Sequence, residues 1–164
     1  KNKNYFYISA GSVKKDHLNE DQIIKVEFDD KKKLTYNKNF LYQPSRELFM
    51  HSFLHVNEKY INKDIFVVHA HPKNIISFMG FEKNRELNEI KTFFPEINVG
   101  DIGKNVPYHD AGSINLATNC YDNLVNNEIV GLERHGTLSI GTDVDRIIEN
   151  IETLEYYVEC YLKS

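Results

Sequence analysis

A chain of 164 residues, 41% hydrophobic and 27% charged, can bury one full core, and we expect a single domain over residues 1–164. Its net charge of −4 gives no basic footprint of the kind a phosphate-backbone binder needs, which excludes nucleic acid as an expected partner. No apolar run approaches the length that spans a bilayer, so no membrane partner is expected.

Tyr5 to Ser9 is short, aromatic and β-branched, and predicts a strand ending at Gly11. Ile23 to Phe28 alternates, and Asp29-Asp30-Lys31 can turn the chain back, leaving Lys31-Lys32-Lys33 as a solvated hairpin tip. Pro44-Ser45 predicts the opening of a helix through about Tyr60, with Ser45 as its cap. Leu48, Phe49, Phe53, Leu54 and Val56 recur there near helical spacing. Ile65 to Val68 is a continuous apolar run, as in a buried strand, and leads straight into His69-Ala70-His71-Pro72.

Pro72 is placed to start a short helix through Phe81. Glu86 to Phe94 predicts another, stopped by Pro95. Ser113 caps a helix carrying Leu116, Ala117, Cys120 and Leu124. Ile129 to Leu132 predicts a strand, and Thr137 to Ile140 its hairpin partner. Asp143 to Leu162 is the longest helix, with Val144, Ile147, Ile148, Ile151, Leu154, Val158 and Leu162 on one face. No repeat or low-complexity linker interrupts this mixture, which is that of one α/β or α+β domain.

Two cysteines, Cys120 and Cys160, both fall in helical patterns on apolar faces. Two isolated thiols make no disulfide framework, so they read as small core residues in a reducing cytoplasm. Lys1 rather than methionine opens the chain, which leaves room for a missing N-terminal segment and weakens the bearing of an absent signal peptide.

The chemistry concentrates in the histidines. His69 and His71 stand at i and i+2 on a strand and so project to one face. Two imidazoles can then reach one ion, at about 2.0–2.1 Å each for zinc. A lone His-x-His is a weak signal, but this one closes a buried strand, at the carboxyl end where sites in open sheets often lie. His135 also follows an apolar strand, and Gly136 permits an abrupt turn that exposes its ring. Three histidines with an open coordination position describe a catalytic site rather than a closed structural one. The alternative is three core or surface histidines with no metal. Glu47, in the first turn of the predicted helix, is either an acid favoured by the helix N-terminus or a general base beside the metal. His51 and His55 follow on the same helix face and receive no role.

These stretches, taken in order, resemble the class II aldolase/adducin family: Pro44-Ser45-Arg46-Glu47, Val68-His69-Ala70-His71-Pro72, Gly112-Ser113 before a helix, and Glu133-Arg134-His135-Gly136-Thr137-Leu138-Ser139-Ile140-Gly141. Ile8-Ser9-Ala10-Gly11-Ser12-Val13 resembles that family's Thr-Pro-Ser-Gly loop, altered, and the final helix with Glu152 and Glu155 resembles its closing helix. The likeness runs over nearly the whole chain. It implies a three-layer α/β/α domain with a mostly antiparallel central sheet, and a homotetramer with active sites between subunits. It implies that His69, His71 and His135 hold Zn2+ (or Mn2+, Co2+ or Fe2+), and that Glu47 is the acid/base. The expected reaction is reversible aldol cleavage of a small phosphorylated sugar through a metal-stabilised enediolate. Gly11, Ser12 and Ser45 are the candidates for its phosphate.

Departures from the family pattern keep rivals open. Arg46 replaces the second serine of a Ser-Ser-Glu motif, although arginine also binds phosphate. The Gly-Asn phosphate segment that would precede Tyr5 is absent. Fuculose-phosphate aldolases carry a mid-chain catalytic tyrosine, and none lies between His71 and Tyr108. Glu89 instead resembles a glutamate of the methylthioribulose-phosphate dehydratases, which makes a dehydratase on the same metal the runner-up. Related epimerases have aspartate where Glu47 stands. A non-catalytic, adducin-like assembly module is the third reading, against which the retained histidines weigh. Phe93-Phe94 and Tyr156-Tyr157 are candidates either for a subunit interface or for the core.

Overall fold

Alternation builds the first sheet. In β2 (Ile23–Phe28) every second side chain is buried, and β1 (Tyr5–Ser9) pairs with it antiparallel from Tyr5 opposite Glu27 to Ser9 opposite Ile23. The predicted turn forms as read: the Asp29 side chain accepts from the amides of Lys31 and Lys33, each at 2.9 Å, and returns the chain as β3 (Leu34–Tyr36). The computed structural model describes residues 4–38, 41–57, 59–60, 63–80 and 85–164.

The second sheet is antiparallel too, in the order β4 (Phe66–Ala70), β6 (Gly136–Gly141), β5 (Ile129–Leu132). Its register sorts the side chains. Val67 lies opposite Ile140, and His69 opposite Leu138, which in turn faces Val130. These residues share one face. Val67, Val130, Leu132, Leu138 and Ile140 pack there against α1 (Leu48–His55) and α4 (Ile114–Leu124). Val68, Ala70 and Ile129 point the other way, onto α2 (Lys73–Phe78) and α5 (Val144–Lys163). The sheet is thus the middle of three layers, as expected. The strands divide between two three-stranded sheets rather than one central sheet. Residues 101–106 add single parallel bridges beside β5, Ile102 to Ile129 and Val106 to Leu132.

Several boundaries differ from expectation. α1 begins at Leu48, not Ser45, because the Ser45 hydroxyl accepts from the Glu47 amide in a tight turn ahead of the helix (3.2 Å). It ends at His55 because Asn57 folds its side chain onto the Lys59 amide (2.8 Å), a local bond that competes with helix continuation. α2 ends at Phe78, and Phe81 lies outside the described residues. Residues 86–94 divide into a 3-10 turn, Leu87–Glu89, and a short α3 (Ile90–Phe93). On α5, Ile147, Ile151, Leu154 and Val158 are buried, but Val144, Ile148 and Leu162 are exposed. A 100° step rotates those three by roughly 50–90° from the centre of the buried stripe. Phe93 and Tyr156 are also exposed, whereas Phe94 and Tyr157 pack onto the core. Among the described residues no helix is long and apolar enough to cross a membrane.

Candidate metal centre

Each histidine is carried by a different local device. His69 sits in the β4–β6 ladder, on the face covered by α1 and α4. Its ring Nδ1 lies 2.8 Å from the carbonyl oxygen of Thr137. A carbonyl accepts only, so Nδ1 carries the proton and the lone pair is left on Nε2. His71 stands at i+2, just past the end of β4, with its Nε2 2.9 Å from His69 Nε2. Nitrogens bound to one ion at about 2.0–2.1 Å, at right angles or wider, stand about 2.9–3.4 Å apart.

His135 comes from the turn between β5 and β6, whose backbone closes by a 3.0 Å bond from its amide to Leu132 O. The positive φ of this turn falls on Arg134, at 58°, and not on the glycine. Gly136 is needed for another reason: a Cβ there would lie 2.1 Å from Ala70 O and 2.9 Å from His71 Cδ2. The rings of His71 and His135 stand 5.3 Å apart, and those of His69 and His135 4.7 Å. One ligand atom from each of the three residues lies within 4.8 Å of the others. Burial lowers the His69 pKa to about 4, reinforced by His135 and His71 and opposed by the Thr137 bond. Burial also lowers that of His135, with Glu47 opposing and His71 adding. Both rings are therefore neutral at pH 7, the form that binds metal. An all-imidazole set with one tautomer fixed suits a divalent ion such as zinc.

Glu47 joins this group. Its side chain is buried, and Oε2 accepts from the Gly112 amide at 3.1 Å. Gly112 has a φ of +76°, and a Cβ there would come 2.7 Å from Arg46 O, so the close approach requires glycine. Ser113 beside it caps α4, accepting from the Leu116 amide at 3.1 Å. With Oε2 engaged, Oε1 faces His135 Nε2 at 3.9 Å, too long for a hydrogen bond and short enough to share a bound reactant. The nearby Cys120 thiol is pushed up to about 12, first by burial and then by Glu47, so it is no nucleophile.

The phosphate candidates are brought together only in part. The loop of Gly11 lies against residues 44–46: Gly11 N donates to Gln43 O at 3.0 Å, and Ser45 N to Ser9 O at 3.0 Å. The Gly11 amide is thus committed to the backbone and is not a free donor. Ser12 is exposed at φ 57°, and its hydroxyl and that of Ser45 are the remaining candidates. Glu89 lies elsewhere. Its carboxylate pairs with Arg85 at 3.1 Å and accepts from the Glu86 amide at 3.4 Å, on a turn whose Leu87 packs into the α2/α5 layer.

His51 and His55 titrate far below a free imidazole. Burial, with His69, His55 and Lys15, lowers His51 to about 3, and burial lowers His55, stacked 4.6 Å from Phe6, to about 4. Their unfolded counterparts protonate near about 6.5. The unfolded chain therefore binds more protons below that pH, so stability is full above it and falls as pH drops towards 4. The urea midpoint of metal-free protein should be lower at pH 5 than at pH 7.5. His55→Phe should narrow that gap, and an unchanged gap would exclude His55 as its source.

The family described as Class II Aldolase and Adducin N-terminal domain matches residues 1–162. Among solved structures, a sugar-phosphate aldolase from Thermotoga maritima superposes with a TM-score of 0.77 at 22% identity, over 97% of this chain and 71% of that one. An L-fuculose 1-phosphate aldolase gives 0.69 at 18% identity, over 97% and 69%. YgbL from Klebsiella pneumoniae, described as a candidate aldolase/epimerase/decarboxylase, gives 0.76 at 18% identity, over 98% and 73%. No curated protein matches. Identities this low speak for a shared fold alone, but the family match runs from the first residue almost to the last, through the histidine turn and the capped helix beside it; the chain belongs to the class II aldolase and adducin family.

Proposed function

We propose that this chain is a divalent-metal-dependent lyase that cleaves a carbon–carbon bond in a small phosphorylated sugar. The observation that carries the reading is the convergence of His69, His71 and His135 beside the buried carboxylate of Glu47. His69, His71 and His135 would hold a divalent ion, zinc being our choice, which would supply Lewis-acid stabilisation of negative charge on a substrate oxygen. Glu47 is the acid/base. The Gly112 amide fixes one of its oxygens, which leaves the other to move a proton on a substrate lying against His135. The hydroxyls of Ser12 and Ser45, with Arg46 beside them, take the phosphate. The free cysteines Cys120 and Cys160 suit a cytoplasmic setting.

The dehydratase reading has less support, because Glu89 is already paired with Arg85. An adducin-like assembly role leaves the facing imidazoles unexplained. The test is a screen of phosphorylated ketoses for release of dihydroxyacetone phosphate, before and after chelation. Activity lost on chelation and regained with a divalent ion is expected; no aldol product from any ketose phosphate would overturn the reading. We also place the working site between subunits of a homotetramer, since His71 is exposed and Phe93 and Tyr156 are 41% and 61% exposed. Sedimentation should return four times the chain mass of 19.2 kDa, and a monomer at micromolar concentration would refute the assembly.

A further inference from the structure

The three histidines are not held equally. His69 is fixed twice, by the β4–β6 ladder and by Thr137 O. His135 is fixed by the tight turn that its own amide closes onto Leu132. His71 lies beyond the last ladder pair, Ala70 opposite Thr137, and its side chain is exposed. Its ring meets His69 and passes over Gly136, but no strand pairing fixes its backbone, which continues directly into the segment that follows.

That segment begins with a defect. Pro72 occupies the N-cap of α2, and proline has no side-chain acceptor for the first amides of the helix. The missing cap arrives from 80 residues away. Glu155, on α5, accepts from Ile75 N through one carboxylate oxygen at 3.0 Å. Its other oxygen accepts from Asn74 N at 3.0 Å and from Asn74 Nδ2 at 2.9 Å. Asn74 and Ile75 are the second and third residues of α2, whose amides a cap normally satisfies. A carboxylate suits this place because it engages two amides and the positive end of the helix together. The only links between this anchor and His71 are Pro72, with its ring-locked φ, and Lys73.

We propose that Glu155 is the positioning residue of His71: it anchors the start of α2 from the neighbouring helix and thereby holds the His71 imidazole beside His69 and His135. This rests on the reading of the three histidines as a metal centre. Glu155 touches neither metal nor substrate and acts only through the backbone on either side of Pro72.

The test compares Glu155→Gln with Val158→Ala, which thins the buried face of the same helix without touching the anchor. Zinc affinity is measured by chelator competition, and thermal midpoints are taken on metal-free protein. Glu155→Gln should weaken zinc about 10–100-fold, the range for loss of a group that orients a ligand. Val158→Ala should leave affinity within about twofold, even where it lowers the midpoint as much or more. In histidine ring spectra of the metal-free protein, Glu155→Gln should broaden or move the His71 signals while those of His55, stacked 4.6 Å from Phe6, stay in place. Equal affinity in Glu155→Gln and parent, or equal weakening by Val158→Ala, would overturn the proposal. If the parent itself binds no divalent ion, the metal reading fails instead, and the His71 signals alone then decide whether Glu155 positions that ring.

Discussion

Alanine in place of His71 is expected to abolish stoichiometric metal binding and activity together, with little change in the unfolding midpoint. His71 is exposed and lies outside the ladder, so its removal leaves no cavity in the core. It does remove one of three nitrogens that face one another within 4.8 Å. Loss of a group that merely orients a ligand costs 10–100-fold in metal affinity, so loss of a ligand should cost at least about that. His69→Ala should empty the site as well but should also destabilise the fold, because its ring is partly buried and its bond to Thr137 O is lost. Metal content by mass spectrometry and melting by circular dichroism separate the two. Full metal occupancy in both variants would rule out this centre.

Much of this site was legible in the sequence because its signals are local. The i, i+2 spacing of His69 and His71 needs only a strand, and the apolar run before them supplies it. Ser113 caps its helix as a short polar residue ahead of an apolar stripe does, accepting from Leu116 N at 3.1 Å. The three layers follow from strand alternation once the register is known.

What escaped was set by partners distant in sequence or by backbone atoms. Thr137 holds His69 through its carbonyl, which every residue type possesses. The Gly11 amide looked free, but the loop ending at Gln43 had already taken it. Gly136 suggested the residue that makes the abrupt turn, whereas its real constraint is the Ala70 carbonyl of another strand, and Arg134 adopts the left-handed conformation. Ser45 resembled a helix cap but stands two residues ahead of Glu47, the N-cap, and its hydroxyl closes a turn onto the Glu47 amide. Glu155 lies within the α5 pattern, and only the fold brings it to α2.

Glu47→Gln is expected to lower kcat by at least about 10²–10⁴-fold while metal remains bound, the range for one positioned proton-transfer group. The substitution is nearly isosteric. Its amide oxygen can still accept from Gly112 N at the present 3.1 Å, so the packing around this buried side chain should survive. What disappears is the oxygen facing His135 as a proton acceptor. Metal content should stay at parent level, because the facing nitrogens belong to the three histidines. The companion variant decides between reactions. Aldol cleavage needs a base for a hydroxyl proton and a donor for the nascent carbanion carbon, whereas dehydration needs a base for a carbon-bound proton and an acid for the departing hydroxide. Glu89→Gln should cost little in an aldolase, since that carboxylate spends its bonds on Arg85 and the Glu86 amide, and side-chain exposure of 40% keeps the pair weak. A loss at Glu89 equal to that at Glu47, with no aldol product from any ketose phosphate, would falsify the aldolase reading and assign the same histidines to a dehydratase.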